Sequence, residues 1–189
     1  MTTPAPRIPA PSTLRRAPRF LGFFGSDLQL DSSDTPLRVK VNLSSPLAGR
    51  IALHEPGRGP ALAGVLLEPP ARVRVYLGDR ETEGSCGECR YDYGEKSAVV
   101  HLPSGGSVGW VPEGKAWILK EGERTLGRFD KEGMYGDVKG EFSWVAEVSY
   151  EVELCALVTM VALFLRTRSK IGLIGAGPQV GMGVGATLG

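Results

Sequence analysis

Residues 154–165 read LCALVTMVALFL, and this stretch decides the fold of the chain. Thr159 is its only polar side chain, so the segment has no face suited to water. A helix that is apolar all round is surrounded by protein or by lipid. Twelve helical residues extend about 18 Å, whereas the hydrocarbon core of a bilayer is roughly 30 Å thick. The stretch therefore predicts a short helix, over residues 153–166, enclosed by the rest of the protein.

The charges on either side of this stretch agree with a helix. Glu151 and Glu153 precede it, and Arg166, Arg168 and Lys170 follow it. Acidic residues are favourable at a helix N-terminus and basic residues at a C-terminus. A long buried strand is the alternative, because the stretch also contains β-branched residues, which suit strands.

A glycine-rich tail follows at residues 171–189. It carries no charge, and Gly177, Gly181, Gly185 and Gly189 are spaced four apart, as in closely packed membrane helices. Together with the apolar stretch it predicts a second possibility, a helical hairpin over residues 154–189 inserted in a bilayer. Its glycines and Pro178 weaken a helix, however, so a flexible or partly docked tail is the simpler interpretation.

Strand patterns dominate the chain before this point. Leu37, Val39, Val41 and Leu43 alternate with polar residues, as in a strand with one buried face. Residues 144–152 alternate in the same way and form the clearest strand prediction. Nine or ten such segments at short spacing predict a mainly β protein, an antiparallel barrel enclosing the C-terminal helix. A β-sandwich with a C-terminal membrane or docking segment is the alternative.

Composition limits the classes of protein to consider. The 189 residues suit one domain, and 26 glycines with 14 prolines favour turns over long helices. A net charge of +1 predicts no nucleic-acid partner. Three cysteines do not make a disulfide framework, so we expect an intracellular protein, cytoplasmic or membrane-associated.

The same patterns predict three regions. Residues 1–26 are rich in proline and arginine and are expected to form a disordered tail. Residues 27–170 are expected to form the single β domain with its terminal helix, and residues 171–189 the glycine-rich tail. Either tail is a candidate for docking a protein partner.

A family resemblance rests on residues 126–165. The segment Leu126-Gly127-Arg128-Phe129 is followed by the segment Gly133–Gly136, then Phe142, the alternating residues 144–152 and the apolar stretch. This order resembles the tubby-like superfamily, which includes phospholipid scramblases and the plant LURP-one-related proteins. The resemblance implies a closed barrel threaded by a hydrophobic helix. It also implies a non-enzymatic association with membrane phospholipid.

Four cations form the candidate lipid site. Arg38 and Lys40, and likewise Arg72 and Arg74, alternate with apolar residues on two predicted strands. If those strands are neighbours, their polar faces form one patch able to bind anionic headgroups, each charge adding around 1 kcal/mol near the surface. An ordinary solvated sheet face is the alternative.

Acidic residues near the C-terminal helix form a candidate Ca²⁺ site. Asp130, Asp137 and Glu141 offer oxygen ligands, and the resemblance to scramblases implies calcium regulation in this region. Their spacing is not that of an EF-hand, and a solvated loop is the alternative. Cys86 and Cys89 form a CxxC sequence without the second ligand pair of a zinc site, which favours two reduced thiols.

These observations predict a binding protein and not an enzyme, because no ordered nucleophile, base and acid occur. The leading prediction is a tubby-like or scramblase-like domain associated with anionic phospholipid. One alternative is a membrane-anchored protein whose soluble β head is inserted through residues 154–189. Another is a structural or interaction subunit of a larger assembly.

Overall fold

The computed structural model describes residues 5–16, 26–32, 36–45, 48–57, 59–68, 72–78, 86–92, 97–132 and 139–175. They form a closed barrel of twelve antiparallel strands with one C-terminal helix. The elements are β1 (Ser12–Arg16), β2 (Ser26–Ser32), β3 (Leu37–Ser45), β4 (Ala48–His54), β5 (Ala63–Glu68), β6 (Arg72–Leu77), β7 (Cys86–Asp92), β8 (Ser97–His101), β9 (Ser107–Glu113), β10 (Ala116–Glu121), β11 (Arg124–Glu132), β12 (Lys139–Trp144) and α1 (Tyr150–Gly175).

Each strand pairs with its neighbour in sequence, and β1 pairs with β12 to close the barrel. Alternation places every second side chain inside. On β3, for example, Val39 and Val41 are buried while Arg38 and Lys40 are exposed. Closure leaves no sheet edge with unpaired backbone groups. The predicted antiparallel barrel is therefore confirmed, and its twelve strands exceed the nine or ten counted from sequence.

Helix α1 runs through the barrel interior. Residues 154–164 are all buried, and they share one hydrophobic core with the inward side chains of the strands. The predicted enclosure of the apolar stretch is confirmed. The helix is longer than the predicted 153–166, because it begins at Tyr150 and ends at Gly175. We call the barrel end where α1 begins the upper end, and the opposite end the lower end.

The one polar side chain of the apolar stretch is satisfied inside the core. The indole Nε1 of Trp110 donates to Thr159 Oγ1 at 3.2 Å, and that hydroxyl donates to the carbonyl of Cys155 at 2.7 Å. Trp110 and Thr159 are both fully buried. Since an unpaired buried donor is costly, this chain of hydrogen bonds favours one position of α1 relative to β9.

The prediction of one strand over residues 144–152 is wrong. Strand β12 ends at Trp144, and Val148 forms only an isolated bridge with Arg7. The backbone N–H of Val152 donates to Ser149 Oγ at 3.3 Å, the pattern of a helix N-cap. The capping serine and the two glutamates after it start the helix, although the preceding residues alternate like a strand.

The prediction of a disordered tail over residues 1–26 is wrong where the structure describes that region. Residues 12–16 form β1, between β2 and β12, and Leu14 is buried inside the barrel. Before β1, Arg7 exchanges two backbone hydrogen bonds with Val148, at 3.1 and 2.9 Å. The nearby prolines do not oppose this strand, because none lies within it.

Gly140 on β12 lies beneath the ring of Phe129. A Cβ at Gly140 would be 2.4 Å from Phe129 Cζ and 2.9 Å from the carbonyl oxygen of Asp130. Because Phe129 is fully buried and its ring has no room to move, we expect Gly140→Ala to destabilise the protein by about 1–3 kcal/mol. Urea unfolding followed by tryptophan fluorescence measures this change.

Gly109 on β9 is the matched control. A Cβ there would meet only the carbonyl oxygen of Ala98, at 3.7 Å, which is an ordinary contact. We expect Gly109→Ala to leave stability unchanged or to raise it by up to about 1 kcal/mol. Equal destabilisation by both variants would contradict the described packing of Phe129.

Candidate functional site

The four predicted cations are not on neighbouring strands. Strand β3 carries Arg38 and Lys40, and β6 carries Arg72 and Arg74, with β4 and β5 between them. Three strand steps of about 4.8 Å separate the two pairs by roughly 14 Å. The condition that the two strands are neighbours is therefore not met.

Arg50 on β4 lies in the gap between these pairs. In the strand register Lys40 is opposite Ala52, two residues along from Arg50, and Arg50 is opposite Leu66 of β5, which in turn is opposite Arg74. Arg50 was not among the cations predicted from the sequence. The missed signal was its alternation with Ile51, which marks an outward position beside β3. We call the outer surface formed by Arg38, Lys40, Arg50 and Arg74 the basic wall.

Tyr76 holds Arg50 in place on this wall. Arg50 Nε donates to the Tyr76 hydroxyl at 2.6 Å, and the guanidinium carbon lies 5.4 Å from the ring centroid. The ring is only 4 % exposed although it lies on the outer face, because it covers Gly64 of β5. A Cβ at Gly64 would be 2.2 Å from the tyrosine oxygen. The glycine thus makes room for an aromatic support beneath the arginine.

The charges of the basic wall differ in how they are balanced. Arg74 forms an ion pair with Glu68, and Arg72 is opposite Glu68 in the strand register. The side chain of Arg72 lies outside the described residues. Within the described part of the chain, Arg38 and Lys40 are exposed and form no ion pair. The β3 side of the wall is therefore the side with cations available to an anionic ligand.

The structure describes two of the three candidate Ca²⁺ ligands. Asp130 and Glu141 are opposite each other on β11 and β12, but Asp137 lies outside the described residues. Both carboxylate oxygens of Asp130 accept hydrogen bonds from Arg128, at 2.6 and 2.8 Å. These bonds hold the pKa of Asp130 below its usual value. Across the described ranges, no group of three acidic, histidine or cysteine side chains is placed to hold a metal ion.

Two of the three cysteines are buried. Cys89 lies on β7 opposite Val73 and Val100, and the side chain of Cys86, three positions earlier, lies outside the described residues. Cys155 is fully buried on α1, and burial raises the pKa of its thiol to about 12. Its thiolate is therefore scarce at neutral pH.

Two hollows lie at the upper end, near the start of α1. One, of about 80 Å³, lies between Arg7, Tyr150 and Glu153. Burial is the main cause that raises the pKa of the Tyr150 phenol, so the group stays protonated at neutral pH. The other, of about 360 Å³, has an apolar floor that includes Leu126 and Val152. The residues that line these two hollows include no histidine or cysteine, and neither hollow adds to the basic wall.

No helix within the described ranges has the length and the apolar character needed to cross a membrane. Comparisons of the chain with protein-family models, with curated proteins and with solved structures found no match in any of the three.

Proposed function

We propose that this barrel associates non-enzymatically with membrane phospholipid and that the basic wall contacts the anionic headgroups. The observation that carries the proposal is the exposed pair Arg38 and Lys40, which has Arg50 beside it on the same wall. Each cation close to an anionic bilayer contributes about 1 kcal/mol of binding free energy. Several cations on one wall are therefore sufficient for a reversible association.

The architecture of the barrel supports the same proposal. Enclosure of a hydrophobic helix by a closed barrel is what the resemblance to the tubby-like superfamily implies for the fold. Because residues 154–164 are enclosed, they are not available to lipid, and the outer wall remains as the contact surface. A peripheral contact of this kind depends on charge and is weakened by salt, since the Debye length is about 8 Å at physiological ionic strength.

Vesicle sedimentation tests the proposal. We expect the protein to bind phosphatidylcholine vesicles that contain phosphatidylserine or a phosphoinositide, and not vesicles of phosphatidylcholine alone. The double variant Arg38→Glu with Lys40→Glu should weaken binding by at least about 2 kcal/mol, roughly thirtyfold, because two attractive charges are lost. Its thermal unfolding should match that of the unaltered protein, since both side chains are exposed.

A charge-matched control distinguishes an effect of the basic wall on vesicle binding from an effect of the net charge of the protein. Lys120→Glu with Arg124→Glu changes the net charge equally, but lies on β10 and β11, across the barrel from β3. We expect this control to change vesicle binding less than about twofold, because the distance exceeds the Debye length. Equal loss in both double variants, or no binding to any anionic vesicle, would overturn the proposal.

A further inference from the structure

The groove of about 360 Å³ at the upper end has no part in the proposed lipid contact. Its floor includes Leu126 of β11 and Val152 of α1, with Val148 beside them. Three elements surround this floor: the turn between β10 and β11, the residues just before α1, and the N-terminal segment at Pro6. A concave surface with an apolar floor and a few polar groups at its rim is the usual form of a binding site.

Polar contacts join the three elements that surround the groove. Arg124 Nη2 donates to the backbone carbonyl of Glu147 at 3.2 Å, and Arg124 Nη1 lies 3.8 Å from Glu121 Oε2. The N-terminal segment is joined to the residues before α1 by the two backbone hydrogen bonds between Arg7 and Val148. The groove is therefore formed before a ligand arrives, which lowers the entropic cost of binding.

The rim of the groove is acidic. Glu123 in the β10–β11 turn and Glu147 before α1 are both exposed, and neither forms an ion pair with a described residue. Together with Glu121 they set three carboxylates against the one guanidinium of Arg124, so the rim carries a net charge of −2. The described residues at this end also include Glu55, Glu151 and Glu153, against Arg7 and Lys120. The rim therefore attracts cations.

Two exposed apolar side chains lie close to the same groove in sequence. Val145, two residues before Glu147, is 60 % exposed, and Ile8, two residues after Pro6, is 59 % exposed. No other large hydrophobic side chain in the described ranges is as exposed as these two. Apolar side chains exposed singly are ordinary, whereas several beside one concave surface mark an interaction site.

We propose that this groove binds a peptide segment of a partner protein, in which apolar side chains are flanked by lysines and arginines. The apolar side chains pack over Leu126 and Val152, and the flanking bases pair with Glu123 and Glu147. An acidic rim repels anionic headgroups, which favours a basic peptide over a bilayer as the occupant. The groove lies on β10, β11 and the start of α1, and the basic wall on β3 to β6, so this second contact goes beyond the lipid association and does not depend on it.

Fluorescence anisotropy on the full chain tests the peptide side of this proposal. The probe is a fluorescein-labelled hexapeptide in which two central leucines are flanked on each side by a lysine and an arginine. We expect saturable binding that weakens as salt is raised. Replacing both leucines of the peptide by serines should weaken binding at least about tenfold, because the apolar burial is lost. Equal affinity for the serine peptide would show attraction by charge alone and would overturn the groove as the site.

Charge reversal tests the protein side. With Glu123→Lys and Glu147→Lys, we expect peptide affinity to fall at least about tenfold, since two attractive charges become repulsive. Asp92→Lys with Glu113→Lys changes the net charge equally at the lower end, where β7 and β9 end. The six residues of β10 extend about 20 Å, more than two Debye lengths, so this control should change affinity less than about twofold.

Thermal unfolding of each variant establishes that the barrel is intact. Equal loss in both double variants, or no binding of the leucine peptide to the unaltered protein, would overturn the proposal. Analytical ultracentrifugation identifies a different occupant. A dimer of the unaltered protein that Glu123→Lys with Glu147→Lys dissociates would place a second copy of this chain in the groove, and the proposed peptide partner would then fall.

Discussion

Leu157→Arg is expected to unfold the barrel. Leu157 is 3 % exposed on the enclosed stretch of α1, where it belongs to the hydrophobic core and also lines the 80 Å³ hollow. A guanidinium is larger than the leucine side chain and charged, and placing it in the core costs several kcal/mol of desolvation in addition to the lost packing of the leucine. Because typical domains are stable by only about 5–15 kcal/mol, this loss removes most of the stability. Near-ultraviolet circular dichroism and thermal unfolding measure it.

Leu157→Met is the control for this prediction. It keeps the volume and the apolar character of the side chain, so the expected cost is below about 1.5 kcal/mol. A folded, cooperatively unfolding Leu157→Arg protein would place the helix outside the barrel. That result would restore the alternative in which residues 154–189 insert in a bilayer and the β head folds without them.

Leu14→Asn is expected to have the second largest effect. Leu14 is 1 % exposed on β1, opposite Leu30 of β2 and Gly140 of β12. The substitution loses the burial of a leucine and leaves an amide without partners, which together cost about 4 kcal/mol. It weakens the strand that closes the barrel and so exposes the edges of β2 and β12. Chemical unfolding with urea gives the free energy directly.

Thr13→Asn places the same side chain one residue earlier, at an outward position of β1. Thr13 is opposite Asp31 and Glu141, on the outer wall, and we expect a change within about 0.5 kcal/mol. If residues 12–16 were a disordered tail, neither variant would change the free energy of unfolding. A difference of several kcal/mol between the two positions is the signature of a strand inside a closed barrel.

The sequence predicts the architecture because one physical feature decides it. An apolar stretch of twelve residues is too short to span a bilayer, so it favours enclosure by protein, and the alternating strands supply an enclosing sheet. Residues 144–152 show where pattern reasoning fails. Their alternation is compatible with a strand, and the helix start is decided by the capping hydroxyl of Ser149, which a two-residue period does not reveal.

The strand that closes the barrel, β1, could not be identified from its local sequence pattern. The five residues STLRR of β1 contain one buried leucine and follow a proline-rich stretch, so they resemble a tail. A strand is required between β2 and β12 because their edges would otherwise be unpaired, and this is evident only from the topology of the barrel. For the candidate site, Arg38 and Lys40 were identified from alternation alone. Arg50 was missed because its proximity to them depends on the pairing of β3 with β4.

Alkylation of Cys155 tests the central claim, the enclosure of α1 by the barrel, in the unaltered protein. Burial raises the pKa of its thiol to about 12, so the reactive thiolate is scarce at pH 8, and the fully buried group has no access to reagent. We expect mass spectrometry to find Cys155 unlabelled by a maleimide until urea unfolds the barrel, with the same midpoint as tryptophan fluorescence. Labelling of Cys155 while the tryptophan signal remains native would contradict the account.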